Sequence, residues 1–275
     1  VGKFYGFKMV KFLRIWVEKW LNQETPPPSF PQIDFEKLRY GLRPGDVVLV
    51  EGRTRVAEVI KLITQSRWSH AALYIGRIHD IENPELREQI QKFSTFDPSD
   101  QLIIEGLLGQ GTILNVLSEY QQDNLRICRP SALSHADAAS VIAFAVAHLG
   151  TPYNFRQMID LARLLFPWSI IPRRWRSSLF RSNAGEPTRT VCSSMLAEAF
   201  NAVDYPVLPA FKRLENEQVE LIKRNAKLFT PADFDYSPYF KILKFPFWGE
   251  VDKAHYRELP WNQDGLQSND DDTFT

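Results

Sequence analysis

Cysteine is nearly absent from this sequence. Only Cys128 and Cys192 occur in 275 residues, too few for a disulfide-stapled scaffold or a four-cysteine zinc site. Each thiol is left as either a small core hydrophobe or a reagent. Glycine is sparse too, at 13 residues, and neither a phosphate-loop nor a dinucleotide glycine pattern occurs. Net charge is missing: 33 Lys and Arg balance 33 Asp and Glu, which removes the field expected of a chain that grips nucleic acid. No nucleic acid partner is expected. There is no His-Glu-x-x-His pattern, no cysteine pair and no calcium loop, so no metal is expected, and nothing calls for a cofactor.

A long uncharged run is also lacking. Residues 4–21 are the most apolar terminus, but Lys8, Lys11, Arg14, Glu18 and Lys19 interrupt them, whereas a spanning helix needs about 20 nearly uncharged residues. No charge-free core leads to a small-residue cleavage site, so no signal peptide is read. A cytoplasmic or membrane-peripheral location is the expectation. The chain opens at Val1 rather than Met, which leaves open what precedes it.

What is present is enough apolar residue, 44% of the chain, to bury a substantial core. Residues 8–21 read as an amphipathic helix, with Met9, Phe12, Leu13, Trp16, Val17, Trp20 and Leu21 on one face. The run Pro26-Pro27-Pro28 is a stiff connector. Strands are expected at 46–51, 70–76, 102–105 and 125–129, with a helix at 56–64 between the first two and a charged loop with Pro84 and Pro98 before the third. Helices follow at 136–149, 154–165 and 191–202. The class is therefore α+β. The expected division is an N-terminal helix at 1–25, a Pro-rich connector at 26–40, a catalytic domain at 41–245 and a polar extension at 246–275 with a disordered end.

Three residues stand out chemically. Cys192 lies where a helix-forming run starts, and exposed amides with the positive helix end would stabilise a thiolate there and could form an oxyanion hole. The competing reading is a buried helix cysteine. Of five histidines, His70 opens an apolar strand just after a polar turn, a position from which a side chain can project toward a cleft. His79, His135, His148 and His255 read as structural or solvated. Glu105 closes the apolar run Leu102-Ile103-Ile104, and a buried carboxylate needs a partner. If strands two and three pair, that partner is His70. Cys128 alternates with strand residues and reads as core.

The motifs Pro44-Gly-Asp-Val-Val-Leu-Val, Ser69-His70-Ala-Ala-Leu-Tyr-Ile-Gly76, Ile104-Glu105-Gly106, Gly150-Thr-Pro-Tyr153-Asn and Val191-Cys192-Ser193-Ser194 resemble the circularly permuted papain-like hydrolases of the YiiX/YebB type. Those are relatives of the NlpC peptidases and, more distantly, of lecithin:retinol acyltransferase. The order His70, Glu105, Cys192 is the permuted one. The resemblance implies an α+β papain-like fold with an antiparallel sheet packed on helices. It also implies Cys192 as nucleophile, His70 as general base, Glu105 as the residue that orients it, and Tyr153 near the cleft. Trp68 and Ser193, close to His70 and Cys192, are taken as substrate-side residues.

The segment 163–182 is longer and more basic than the resemblance leads one to expect. Arg163, Arg173, Arg174, Arg176 and Arg181 alternate with Phe166, Trp168, Trp175 and Phe180, and no acidic residue lies between Leu161 and Gly185. Arginine forks and tryptophans together suit an anionic lipid or acidic acyl substrate, with Arg173 and Arg174 on the substrate side. The opposing reading is an insertion that covers the core. The expected partners are thus an acyl, peptide or lipid substrate and a membrane surface met through 8–21 and 163–182. The alternative function is a lipid- or peptide-binding module that keeps the cleft without turnover.

Overall fold

A computed structural model describes residues 20, 22–26, 33–93, 95–107, 110–152, 192–213 and 218–244. The expected helices at 8–21 and 154–165, the segment 163–182 and the polar extension lie outside the described residues, apart from Trp20.

The sheet grows from short β-rich runs. Strands β1 (Val47–Glu51), β2 (His70–Gly76), β3 (Leu102–Leu107), β4 (Gly111–Val116), β5 (Asn124–Pro130) and β8 (Phe240–Leu243) form one six-stranded sheet in the order β4-β3-β2-β1-β5-β8. Every pairing in it is antiparallel. The sheet is therefore larger than four strands foretold, because β4 and β8 escaped the sequence reading. Strands β6 (Ala210–Arg213) and β7 (Val219–Ile222) make a separate hairpin.

Period-two alternation sorts each strand's residues between two apolar layers. Leu49, Ala71, Leu73, Ile104 and Cys128 face one layer, which holds α4 (His135–Ala147) and α5 (Cys192–Ala202) through Val141, Ala145, Met195, Leu196 and Phe200. Val48, Val50, Ala72, Tyr74 and Ile103 face the other layer, with Leu38 of α1 (Phe35–Gly41) and Leu117. Cys128 is core, as expected, and burial raises its thiol pKa, with Asp235 adding to that effect.

Helix starts follow local chemistry. Thr54 caps α2 (Arg55–Thr64) by accepting from the Ala57 amide, and Ser134 caps α4 through Asp137. At α6 (Pro231–Tyr236), Thr230 and Asp233 form a reciprocal capping box with proline in the first turn. The loop expected between β2 and β3 carries helix α3 (Pro84–Phe93), which Pro84 opens and only Leu86 and Ile90 bury. Its many charged residues hid it as a loop.

The Pro44-Gly45-Asp46 motif also has a structural cause. Gly45 takes φ +94, a backbone that other residues rarely adopt, and delivers Asp46 into the core. There Arg129 of β5 grips the carboxylate with two bonds of 2.9 and 2.7 Å, and the Arg43 amide adds a third of 2.8 Å. Burial nonetheless raises the pKa of Asp46, with the Arg129 and Arg43 bonds only partly offsetting it. The first strand is thereby pinned to its neighbour.

Candidate active site

The base half of the site is built by register. Strand β3 pairs with β2 so that Glu105 lies opposite Ala72, two residues along the strand from His70 on the same face. The His70 Nε2 is 2.5 Å from Glu105 Oε2. Glu105 is not the end of its strand, as the sequence suggested, but a mid-strand residue at 0% exposure. A charge there is tolerable only if every oxygen is satisfied. Tyr120 donates its hydroxyl to the same Oε2 at 2.5 Å, and Asn115 Nδ2 donates to Oε1 at 2.8 Å.

Burial alone would push the Glu105 carboxyl up. The hydrogen bond and charge of His70, with the bonds from Tyr120 and Asn115, outweigh it and hold the group below its ordinary value of 4.5. Glu105 is thus a carboxylate at neutral pH and accepts the Nε2 proton of His70. That fixes the tautomer with the lone pair on Nδ1. A carboxyl whose pKa is lower folded than unfolded adds stability above the unfolded pKa, and that stability is lost as pH falls through the folded one. We therefore expect urea unfolding free energies to decline from pH 4.5 downward, and Glu105→Gln to flatten that decline. An equal slope in the variant would show that other carboxylates govern acid unfolding.

The nucleophile half sits on the other layer. Helix α5 begins at Cys192, where the sequence placed it within a residue, and lies across β2 and β3. The Cys192 side chain lies outside the described residues. Its neighbour Ser193 is buried and donates its hydroxyl to the Phe229 carbonyl at 2.7 Å. Six residues on, Asp235 of α6 accepts the indole N–H of Trp68 at 3.1 Å and two bonds from Arg126 Nη1, at 2.7 and 2.8 Å, and Arg126 stacks over the Trp68 ring. One short stretch, 229–235, therefore anchors both the first turn of α5 and the turn that leads into His70. Trp68 is 7% exposed and part of the core. The sequence had offered Trp68 and Ser193 as substrate-side residues, and both are built into the walls. Tyr153, Arg173 and Arg174 lie outside the described residues.

The remaining histidines have structural surroundings. His135 opens α4, His148 stacks on Phe144 at the end of that helix and contacts its carbonyl, and His79 lies in a short turn against the Pro98 carbonyl. His255 is outside the described residues. Among those residues, no group of three His, Cys, Asp or Glu could hold a metal ion. No described helix is long and apolar enough to cross a membrane.

Glu105 thus holds the ring of a strand histidine, and a cysteine heads a helix later in the chain. Residues 41–163 match the family model described as permuted papain-like amidase enzyme, YaeF/YiiX. The likeness is to this family. No curated protein matches the chain. The stretch that matches the permuted papain-like amidase family includes His70 and Glu105 and stops before Cys192. The activity class is that of an amidase, a hydrolase of the papain-like kind. Sequence reasoning had missed Tyr120 and Asn115. Neither sits in a recognisable motif, and only the β3–β4 hairpin and the turn after it bring them to Glu105.

Proposed function

We propose that the chain is a cysteine hydrolase or acyltransferase that works through an acyl-enzyme on Cys192. His70 takes the thiol proton at Nδ1, and Glu105 keeps the ring in that tautomer. The thiolate attacks an amide or ester carbonyl, and the tetrahedral oxyanion is met by the amides of the first turn of α5. His70 then returns the proton to the leaving amine or alcohol, and water or a second acceptor releases the acyl group. The observation that carries the reading is the 2.5 Å contact between His70 Nε2 and a fully buried Glu105, a costly arrangement for a merely structural histidine. His70 is the first residue of β2, so a thiol at the start of α5 would reach its ring around the strand end. Ser193 would act through its backbone N–H and Trp68 by shaping the wall, while Tyr153, Arg173 and Arg174 would meet the substrate.

The experiment is to incubate the chain with an activated acyl ester or amide and look for an acyl adduct on Cys192 by mass spectrometry. Binding without any adduct would favour the non-catalytic module. Among substrates, one observation favours a lipid-like acyl donor over a cell-wall peptide. The β6–β7 hairpin exposes Phe211, Val219, Leu221 and Ile222, with Phe211 at 75%, beside Lys212 and Arg213. Lys212 faces Glu220 across the strands, so what the hairpin offers a lipid surface is its exposed apolar side chains, while the cations come from 8–21 and 163–182 in the sequence.

A further inference from the structure

Glu105 Oε2 receives two donors at 2.5 Å, one from His70 and one from Tyr120. An acid that only oriented a histidine would need the first alone. The second is held with care: Tyr120 closes the short turn Leu117–Tyr120, whose Leu117 is buried and whose Leu117 amide bonds the Gln101 carbonyl at 2.8 Å. The Tyr120 and His70 rings lie 6.0 Å apart, inclined at 37°. The hydroxyl is therefore delivered to the oxygen that the imidazole also uses.

We infer that Tyr120 is a positioning residue that divides the negative charge of Glu105, so that His70 remains a neutral base rather than a permanent imidazolium. The inference rests on the proposed role of His70. A buried carboxylate 2.5 Å from an imidazole favours the protonated ring strongly. An imidazolium cannot accept the thiol proton, so a full, undivided charge would work against general-base chemistry. A second donor on Oε2 draws density away from the imidazole, and Asn115 on Oε1 draws more. The other ionic groups at the strand ends and on the same face are engaged elsewhere. Glu51 pairs with Arg67, Arg53 with Asp123 and Glu24, Arg126 with Asp235, and Arg39 of α1 with Glu36. Tyr74 accepts from Gln101, and burial raises its pKa, so it stays neutral. From α5 the titratable group at the helix start is Cys192.

The test is an NMR titration of the His70 ring in the full chain carrying Cys192→Ala, which removes the thiol that would titrate with the ring, with the tautomer read from long-range nitrogen couplings. Tyr120→Phe removes the hydroxyl and keeps the ring. We expect the His70 titration midpoint to rise by about 0.5–1 pH unit, because Glu105 then concentrates its charge on the imidazole. A residue with a merely structural role would loosen the pair and let the midpoint move toward that of a solvated histidine, near about 6.5. An unchanged midpoint, or a shift toward that value from above, overturns the inference. Asn115→Ala, which removes the donor on the other oxygen, should give a smaller rise, and it serves should Tyr120→Phe fold poorly. The titration needs neither substrate nor thiol. Failure of the base assignment is therefore separable: it would show as Cys192 alkylation that is identical in His70→Ala.

Discussion

Iodoacetamide at pH 7 should modify Cys192 and spare Cys128. The two thiols of this chain occupy opposite settings. Cys128 has no exposed surface, and burial drives its pKa far above that of a free thiol, so neither the reagent nor the thiolate is available. Cys192 heads an eleven-residue helix, where unpaired amides and the helix dipole favour a thiolate. Replacing Cys192 with Ala should remove acyl-enzyme formation altogether. His70→Ala should lower turnover by about 10²–10⁴-fold, the range that one general base supplies. Equal labelling of both cysteines would end the nucleophile assignment, and full turnover in His70→Ala would end that of the base.

The second large effect is on stability. Glu105→Ala should cost about 3–5 kcal/mol, the usual result of removing one partner from a buried ionic pair. Three donors, from His70, Tyr120 and Asn115, would lose their acceptor at once. For a chain of this size that corresponds to a fall in Tm of roughly 10 °C. Glu105→Gln keeps the volume and one carbonyl oxygen but loses the charge and turns an amide NH2 toward a donor, so it should be destabilised less than the alanine variant and retain part of the turnover. The pairing of the two variants matters. Comparable loss of activity in both, with the alanine variant the more destabilised, would show that charge rather than shape is what His70 requires. Full activity in Glu105→Gln would remove the carboxylate from the mechanism.

Much of this site could be read before folding because its parts announce themselves locally. His70 follows a polar turn and opens an unbroken apolar run, and such a run bounded by turn residues is a buried strand. Glu105 closes a similar run, and a buried acid calls for a partner. The cysteine helix was legible from its helix-forming residues. Strand β4 was not, since Thr112 and Asn115 break its apolar pattern. Both polar residues are explained by tertiary context: Thr112 is buried, and Asn115 serves Glu105. Tyr120 was illegible for the same reason, because its role depends on a partner 15 residues away. Helix α3 was lost to its charge, as only one narrow stripe of it meets the core.

The permuted order also has a temporal side. Strands β1 to β5 are complete at Pro130, and α5 does not begin until Cys192. At translation rates of about 5–20 residues per second, several seconds separate the two on the ribosome. The base and its carboxylate therefore leave the ribosome well ahead of the thiol they would activate. A nascent chain in this interval carries the His70–Glu105 pair without the helix that begins at Cys192, and the 229–235 stretch that anchors that helix is made later still.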